Sequence, residues 1–163
     1  MQSRKGLMKE ATLLALSEGM EIDQIQITET GLVVSVISTS PQSCCPLCSQ
    51  PSSYIHSHYH RTLKDAPCVG RQLQLFLTVR KFFCRNPLCS RKVFTERLKT
   101  LAEPWARMTT RLREQITSIG LATCGKGGVR LGNRLEIETS RNTTLRRILE
   151  VPDDARGSVI CQD

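Results

Sequence analysis

Leu73-Gln74-Leu75-Phe76-Leu77-Thr78-Val79-Arg80-Lys81-Phe82-Phe83-Cys84-Arg85-Asn86-Pro87-Leu88-Cys89 decides the fold. Its first half places apolar side chains at 73, 75, 77 and 79, the period-two signature of a strand with one buried face. Its second half closes on a C-x4-C turn. A C-x2-C turn, Cys45-Pro46-Leu47-Cys48, precedes it, with 35 residues between Cys48 and Cys84. Four thiolates from two tight turns can surround a tetrahedral Zn2+ at roughly 2.3 Å per sulfur. A proline in each turn helps hold the short knuckle that aims both sulfurs inward. The candidate ligands are therefore Cys45, Cys48, Cys84 and Cys89. Such a site is closed, so its metal is structural.

The other cysteines and histidines fit this site less well. Cys44 offers a C-x3-C pair with Cys48, but C-x2-C is the commoner knuckle. Cys68, Cys124 and Cys161 have no nearby partner and read as ordinary small residues. His56, His58 and His60 alternate on one strand face, and four thiolates already fill a tetrahedron. They read as surface or phosphate-contacting groups. A redox role for Cys45-x-x-Cys48 would need a βαβ context that the pattern lacks.

Working outward, residues 7–18 predict a short helix. Ile22, Ile25 and Ile27, then Leu32, Val34 and Val36, flank Glu29-Thr30-Gly31 as a β-hairpin. Tyr54 to Arg61 alternates again, and Val93-Phe94-Thr95 leaves the second knuckle as a short strand. Together these predict a zinc-ribbon-like or treble-clef-like module over 20–98. After Leu101 the period changes. Trp105, Met108, Leu112, Ile116 and Ile119 share one helical face, from a start at Pro104 to an end near Gly120. Gly125-Lys126-Gly127-Gly128 predicts a break, followed by a short helical stretch with Val129, Leu131 and Leu135. Thr139 and Ser140 are N-cap candidates for a third helix with Leu145, Ile148 and Leu149 on its inner face, which Pro152 stops.

The fold class expected is α+β: a β-rich zinc-ribbon-like module followed by an all-α helix-turn-helix module. Four parts are expected. Residues 1–43 form a helix and hairpin packing on the zinc module, 44–100 the zinc-binding domain, 101–150 the helix-turn-helix, and 151–163 a tail.

Charge is unevenly spread. Residues 1–44 carry 3 basic and 5 acidic side chains, whereas residues 45–150 carry 19 and 7, a local net of +12 in a chain of +8. Such a field is the electrostatic footprint of a nucleic-acid binder. Lys81, Arg85, Arg91 and Lys92 cluster around the second knuckle as phosphate-contact candidates. Arg141, Asn142, Thr143, Arg146 and Arg147 lie on the third helix. Arg and Asn are suited to bidentate contact with guanine and adenine from a recognition helix. No run approaches the roughly 18 apolar residues of a membrane span. The amino terminus shows no secretory pattern, so a cytoplasmic setting with reduced thiols is expected.

From Cys45 to about Leu149 the chain resembles the N-terminal half of the ISL-three family of bacterial insertion-sequence transposases. The residues that carry the resemblance are Cys45-Pro-Leu-Cys48, His56-Ser57, Tyr59, Arg61, Asp65-Ala-Pro67 and Gly70. They continue with Val79-Arg80-Lys81-Phe82-Phe83-Cys84-Arg85-Asn86, Cys89, Phe94-Thr95-Glu96-Arg97-Leu98, Arg111-Leu112 and Ile119-Gly120-Leu121-Ala122. The resemblance implies a zinc-binding domain and a helix-turn-helix that together bind terminal inverted repeats. Two departures stand out. Ser49 occupies a position where the family usually has Gly. Family members also continue into an RNase H-like domain with a metal-binding carboxylate triad. Asp153, Asp154 and Asp163 cannot form that site alone, because two-metal chemistry needs carboxylates converging from a folded scaffold.

The expected function is thus DNA binding by an N-terminal transposase fragment without strand-transfer activity, with 151–163 the truncated start of the catalytic domain. Double-stranded DNA is the expected partner and a second copy of the chain an optional one, with no membrane and no small-molecule substrate. Two rivals remain. One is a stand-alone regulator or transposition inhibitor built from the same parts. The other is a zinc-ribbon RNA binder whose contacts lie in the ribbon.

Overall fold

A computed structural model describes residues 14, 16, 19–98 and 100–152. The helix expected at 7–18 therefore falls outside the described residues except at positions 14 and 16. Cys161, Asp153, Asp154 and Asp163 lie outside them altogether. The fold is α+β. Strands β1 (Met20–Ile27), β2 (Gly31–Ser38), β5 (Ile55–Cys68), β6 (Arg71–Phe83) and β7 (Val93–Thr95) form one five-stranded sheet. Its order is β1-β2-β6-β5, and β7 pairs with the far end of β6. A second, two-stranded ribbon joins β3 (Ser43–Cys44) to β4 (Pro51–Ser52). Helices α1 (Thr110–Arg134) and α2 (Arg141–Leu149) follow.

β6 is the axis of the molecule, as its alternation requires. Leu73, Leu75, Leu77 and Val79 are all buried, and they meet Val34 and Val36 of β2, Leu63 of β5 and Ile22 of β1 in one core. The hairpin expected around residues 29–31 is present, and β2 then lies parallel to β6 from Gly31↔Gln72 to Ile37↔Thr78. That pairing needs a glycine at its start. A Cβ on Gly31 would stand 2.3 Å from the carbonyl oxygen of Gln72.

Two buried ion pairs fasten the layers. Glu96, just past β7, accepts from the Arg80 backbone N–H at 2.7 Å, the Arg80 guanidinium at 2.8 Å and the Ser38 hydroxyl at 2.9 Å. This ties the end of β2, the end of β6 and β7 at one point. Asp65 of β5 does the same for the helices. It accepts from the Thr109 hydroxyl and from Arg111 Nε, each at 2.6 Å, and from the Ala66 N–H at 2.7 Å. A carboxylate this deeply buried is stable only with such full pairing.

The helical region corrects the sequence expectation in two places. Trp105 is not a core residue of a helix starting at Pro104. It sits in a turn, and the helix starts instead at Thr109, whose side chain caps the Leu112 N–H. The reason is tertiary: residues 107–109 pair with Lys64 of β5 (Lys64 N–H to Arg107 oxygen 2.9 Å, Thr109 N–H to Lys64 oxygen 2.9 Å) before the chain can coil. Leu112, Ile116 and Ile119 do share the expected apolar face, and Met108, ahead of the helix, packs against the same cluster.

The second correction concerns the glycines. Gly125-Lys126-Gly127-Gly128 does not break the chain, and α1 runs unbroken for 25 residues. Gly120, Gly125 and Gly128 face α2. Added Cβ atoms there would stand 2.8 Å and 3.1 Å from Thr144 Cγ2 at Gly120 and Gly128, and 3.2 Å from Arg141 Cγ at Gly125. The glycines are a seam that lets two helix backbones approach, which outweighs their poor helix propensity of about 1 kcal/mol each. α2 keeps the expected cap, Ser140, and ends at Leu149 ahead of Pro152, but Leu145 and Leu149, expected on its inner face, are exposed, and Thr144 is the side chain buried against the α1 glycines.

Candidate metal centre and basic surface

Each knuckle is built by its own backbone bonds. In the first, the β3–β4 ribbon brings Cys45 N–H to Gln50 oxygen at 2.9 Å, and Ser49 N–H returns to Cys45 oxygen at 2.8 Å. Closing that turn puts Ser49 at φ +58°, the left-handed region that glycine occupies most readily. This gives a physical reason for the glycine expected at that position. In the second knuckle, Cys84 N–H bonds to Lys92 oxygen at 2.8 Å and Cys89 N–H to Asn86 oxygen at 3.1 Å. The Asn86 side chain accepts from Leu88 N–H at 3.0 Å, an Asx turn that leaves Pro87 at the bend.

The two knuckles bring the sulfurs of Cys45, Cys48, Cys84 and Cys89 within 4.8 Å of one another. Cys48 and Cys84 sulfurs stand 3.6 Å apart. A tetrahedron with roughly 2.3 Å zinc–sulfur bonds has edges of about 3.8 Å, so the four thiols fit that ion. Cys44 is exposed and stands outside the cluster, which resolves the C-x3-C alternative in favour of Cys45. The histidines join no metal group among the described residues. His60 instead stacks on Phe76 at 5.0 Å, and His56 meets the edge of Phe83 at 4.8 Å.

Without metal the thiols divide protons unevenly. Cys48 is lowered to about 7, chiefly by the backbone hydrogen bond at Gln50. Cys84 is pushed up to about 12: the backbone hydrogen bond at Asn86 pulls it down, but burial and the hydrogen bonds with Cys48, Cys89 and Cys45 together prevail. Burial raises Cys89 as well. Zinc must displace these protons to bind.

The apolar support around the site is small. Among the described residues, Phe82 and Phe94, with ring centroids 5.9 Å apart, are the only large apolar side chains in its buried cluster. The rest of that cluster is cysteine.

Basic side chains gather around the second knuckle. Arg85 stacks its guanidinium over Tyr54 at 3.9 Å, and the Lys81 ammonium lies 5.4 Å from the Tyr59 ring. Lys92 reaches the Cys89 carbonyl at 3.1 Å, and Arg91 is exposed. On α2, Arg141, Asn142 and Arg146 are exposed, and Thr143 hydrogen-bonds the capping Ser140. Arg147 is engaged by Glu150 at 2.7 Å, and Glu150 also holds Arg113 at 2.9 Å. The docking pair Asp65–Arg111 was not legible as a pair, because nothing in a linear pattern links residues 46 apart. No helix among the described residues is long and apolar enough to cross a membrane.

A family model, the zinc-finger of transposase IS204/IS1001/IS1096/IS1165, matches residues 41–89. That interval holds both knuckles and all four clustered cysteines. No curated protein and no solved structure matches the chain. Residues 41–89 are therefore a transposase-related zinc module, and the cofactor is structural Zn2+.

Proposed function

We propose that this chain binds duplex DNA at the terminal inverted repeats of an insertion sequence, as the N-terminal recognition part of a transposase. The observation that carries the reading is the transposase zinc-finger likeness over the residues that build the four-cysteine site. Lys81, Arg85, Arg91 and Lys92, crowded around the second knuckle, serve as phosphate contacts. α1, its turn and α2 serve as a helix-turn-helix, in which Arg141 and Asn142 at the exposed start of α2 read base edges. Thr143, Arg146 and Arg147 support them, Arg147 by giving up or sharing its pair with Glu150. Zinc holds the first group in place and performs no chemistry. This chain thus binds, and strand transfer belongs to the RNase H-like domain of full-length relatives.

The test is binding to the repeat and to a scrambled duplex across a salt series. Arg85→Ala should weaken both and reduce the salt slope by roughly one. Asn142→Ala should cost about 1–3 kcal/mol on the repeat and much less on scrambled duplex. If Asn142→Ala and Arg141→Ala both leave repeat binding intact, α2 is not a recognition helix. If structured RNA outcompetes the repeat, the RNA-binding reading replaces this one.

A further inference from the structure

A cleft of about 1070 Å³ opens on the sheet face between the first knuckle and residues 97–98 and 101–107. Its floor is apolar, with Leu77 and Val79 of β6, and the first knuckle forms one wall. Five cations line it: Arg61, Lys81, Arg91, Arg97 and Arg107. Among the described residues, only Glu96 and Glu103 oppose them, and Glu96 is already consumed by Arg80 and Ser38. Three aromatic residues, Tyr59, Phe94 and Trp105, also line it; Phe94 is buried and the Tyr59 ring carries the Lys81 ammonium, which leaves Trp105 as the open face.

Trp105 is the anomaly. It is the chain's single tryptophan, 93 % exposed, with φ at +64°. Large aromatic side chains normally bury most of their area, and a non-glycine residue in the left-handed region is strained. The segment is not loose. Leu101 and Ala102 are buried in the sheet core, Thr110 N–H bonds to Leu101 oxygen at 2.9 Å, and Arg61 donates to the Ala106 carbonyl beside the tryptophan. A firmly anchored turn thus holds a strained, bare indole at the mouth of a cationic cleft. Such outliers persist where function requires them.

We infer that this cleft takes an unpaired DNA strand, with Trp105 stacking on a base and Arg97 and Arg107 holding the backbone. Excess positive charge selects a polyanion, and the free indole face of Trp105 selects a base that is not stacked in a duplex. The inference rests on the reading of the chain as a DNA binder and adds a second mode to it. A protein that holds the end of an element meets unpaired nucleotides there if the end frays, and this cleft would retain them. Because the first knuckle is one wall, the site exists only in the zinc-loaded protein.

The experiment uses the zinc-loaded full chain and oligothymidylate. Trp105 fluorescence should be quenched saturably, and the apparent affinity should fall with salt. By anisotropy of labelled oligothymidylate, Trp105→Ala should weaken binding about tenfold, the scale of one lost base stack. The same variant should bind the terminal-repeat duplex as the parent does, since the exposed ring supports no packing. Arg97→Ala and Arg107→Ala should weaken oligothymidylate binding and flatten its salt dependence. Unchanged fluorescence on saturation, or parental affinity in Trp105→Ala, overturns the inference. Tighter binding of oligouridylate than of oligothymidylate overturns the assignment to DNA. Failure of the duplex reading shows separately, as indifference of repeat binding to Arg141→Ala and Asn142→Ala.

Discussion

The two ends of this molecule face the same shortage of large apolar side chains and meet it in different ways. At the zinc end, two phenylalanines and four cysteines make up the buried cluster, and a metal ion supplies the cohesion that side chains do not. At the helical end, among the described residues, Leu112, Ile116 and Ile137 alone are buried in the cluster, and backbones approach through glycines instead. One end concentrates its cohesion in four bonds to a single atom. The other spreads it along a seam of ordinary contacts. The first should fail abruptly when one ligand goes, and the second gradually as the seam is filled.

The largest effect should come from the metal. Cys84→Ser or Cys89→Ser should abolish binding of a single zinc per chain and unfold the zinc end, on the order of 10–16 kcal/mol of metal-linked folding energy at neutral pH. Metal analysis and thermal unfolding with and without chelator read this directly. The helical far-UV signal should persist in chelator, since α1 is docked through Asp65 to the sheet core. The pH dependence has a definite sign. Cys84, near 12 without metal, and Cys89, also raised, must lose protons to zinc, so affinity rises with pH and the zinc end loosens on acidification. Thermal unfolding that ignores chelator would erase the contrast between the ends.

A smaller effect is expected at the seam. Gly120→Ala places a methyl 2.8 Å from Thr144 Cγ2 and 3.0 Å from Ile148. Overpacking of this kind costs about 1–3 kcal/mol, more than the roughly 1 kcal/mol that alanine gains over glycine in a helix. Denaturant unfolding should show net loss. A net gain would mean that α2 does not rest on α1 at this point.

The smallest effect is back at the zinc end. Ser49 holds φ +58° to close the first knuckle. Ser49→Gly should relieve that strain and, after glycine's greater chain entropy is subtracted, stabilise the zinc-loaded protein by about 0.5–1 kcal/mol. A lower thermal midpoint in the glycine variant would show that the serine side chain contributes something the turn needs.

The same contrast decides what could be read in advance. The knuckles were legible because a proline and two cysteines in a short turn have one dominant use, and the strand entering the second knuckle alternates without interruption. The hairpin and α2 were legible for the same reason: local signals, such as the capping Ser140, agree with the fold. The glycine seam was misread because propensity describes an isolated helix, whereas Thr144 and Ile148 supply the reason for those glycines from another element. Trp105 matched the helical period at Met108, Leu112, Ile116 and Ile119, yet the helix start is set by Lys64 and Asp65 on β5. Periodicity cannot see a partner so distant in sequence.

The parallel pairing of β2 with β6 has a consequence for how the chain reaches its fold. Gly31 must find Gln72 across an intervening segment that contains the first knuckle and all of β5. Long-range parallel pairing is slow because loop-closure entropy is lost before contacts form. A metal that joins Cys45 and Cys48 to Cys84 and Cys89 closes much of that loop in one event. During synthesis no complete site exists until Cys89 has emerged, whereas the β1–β2 hairpin needs only neighbours. Zinc capture can therefore only follow the hairpin in order of emergence, and once made it holds the two halves of the loop together.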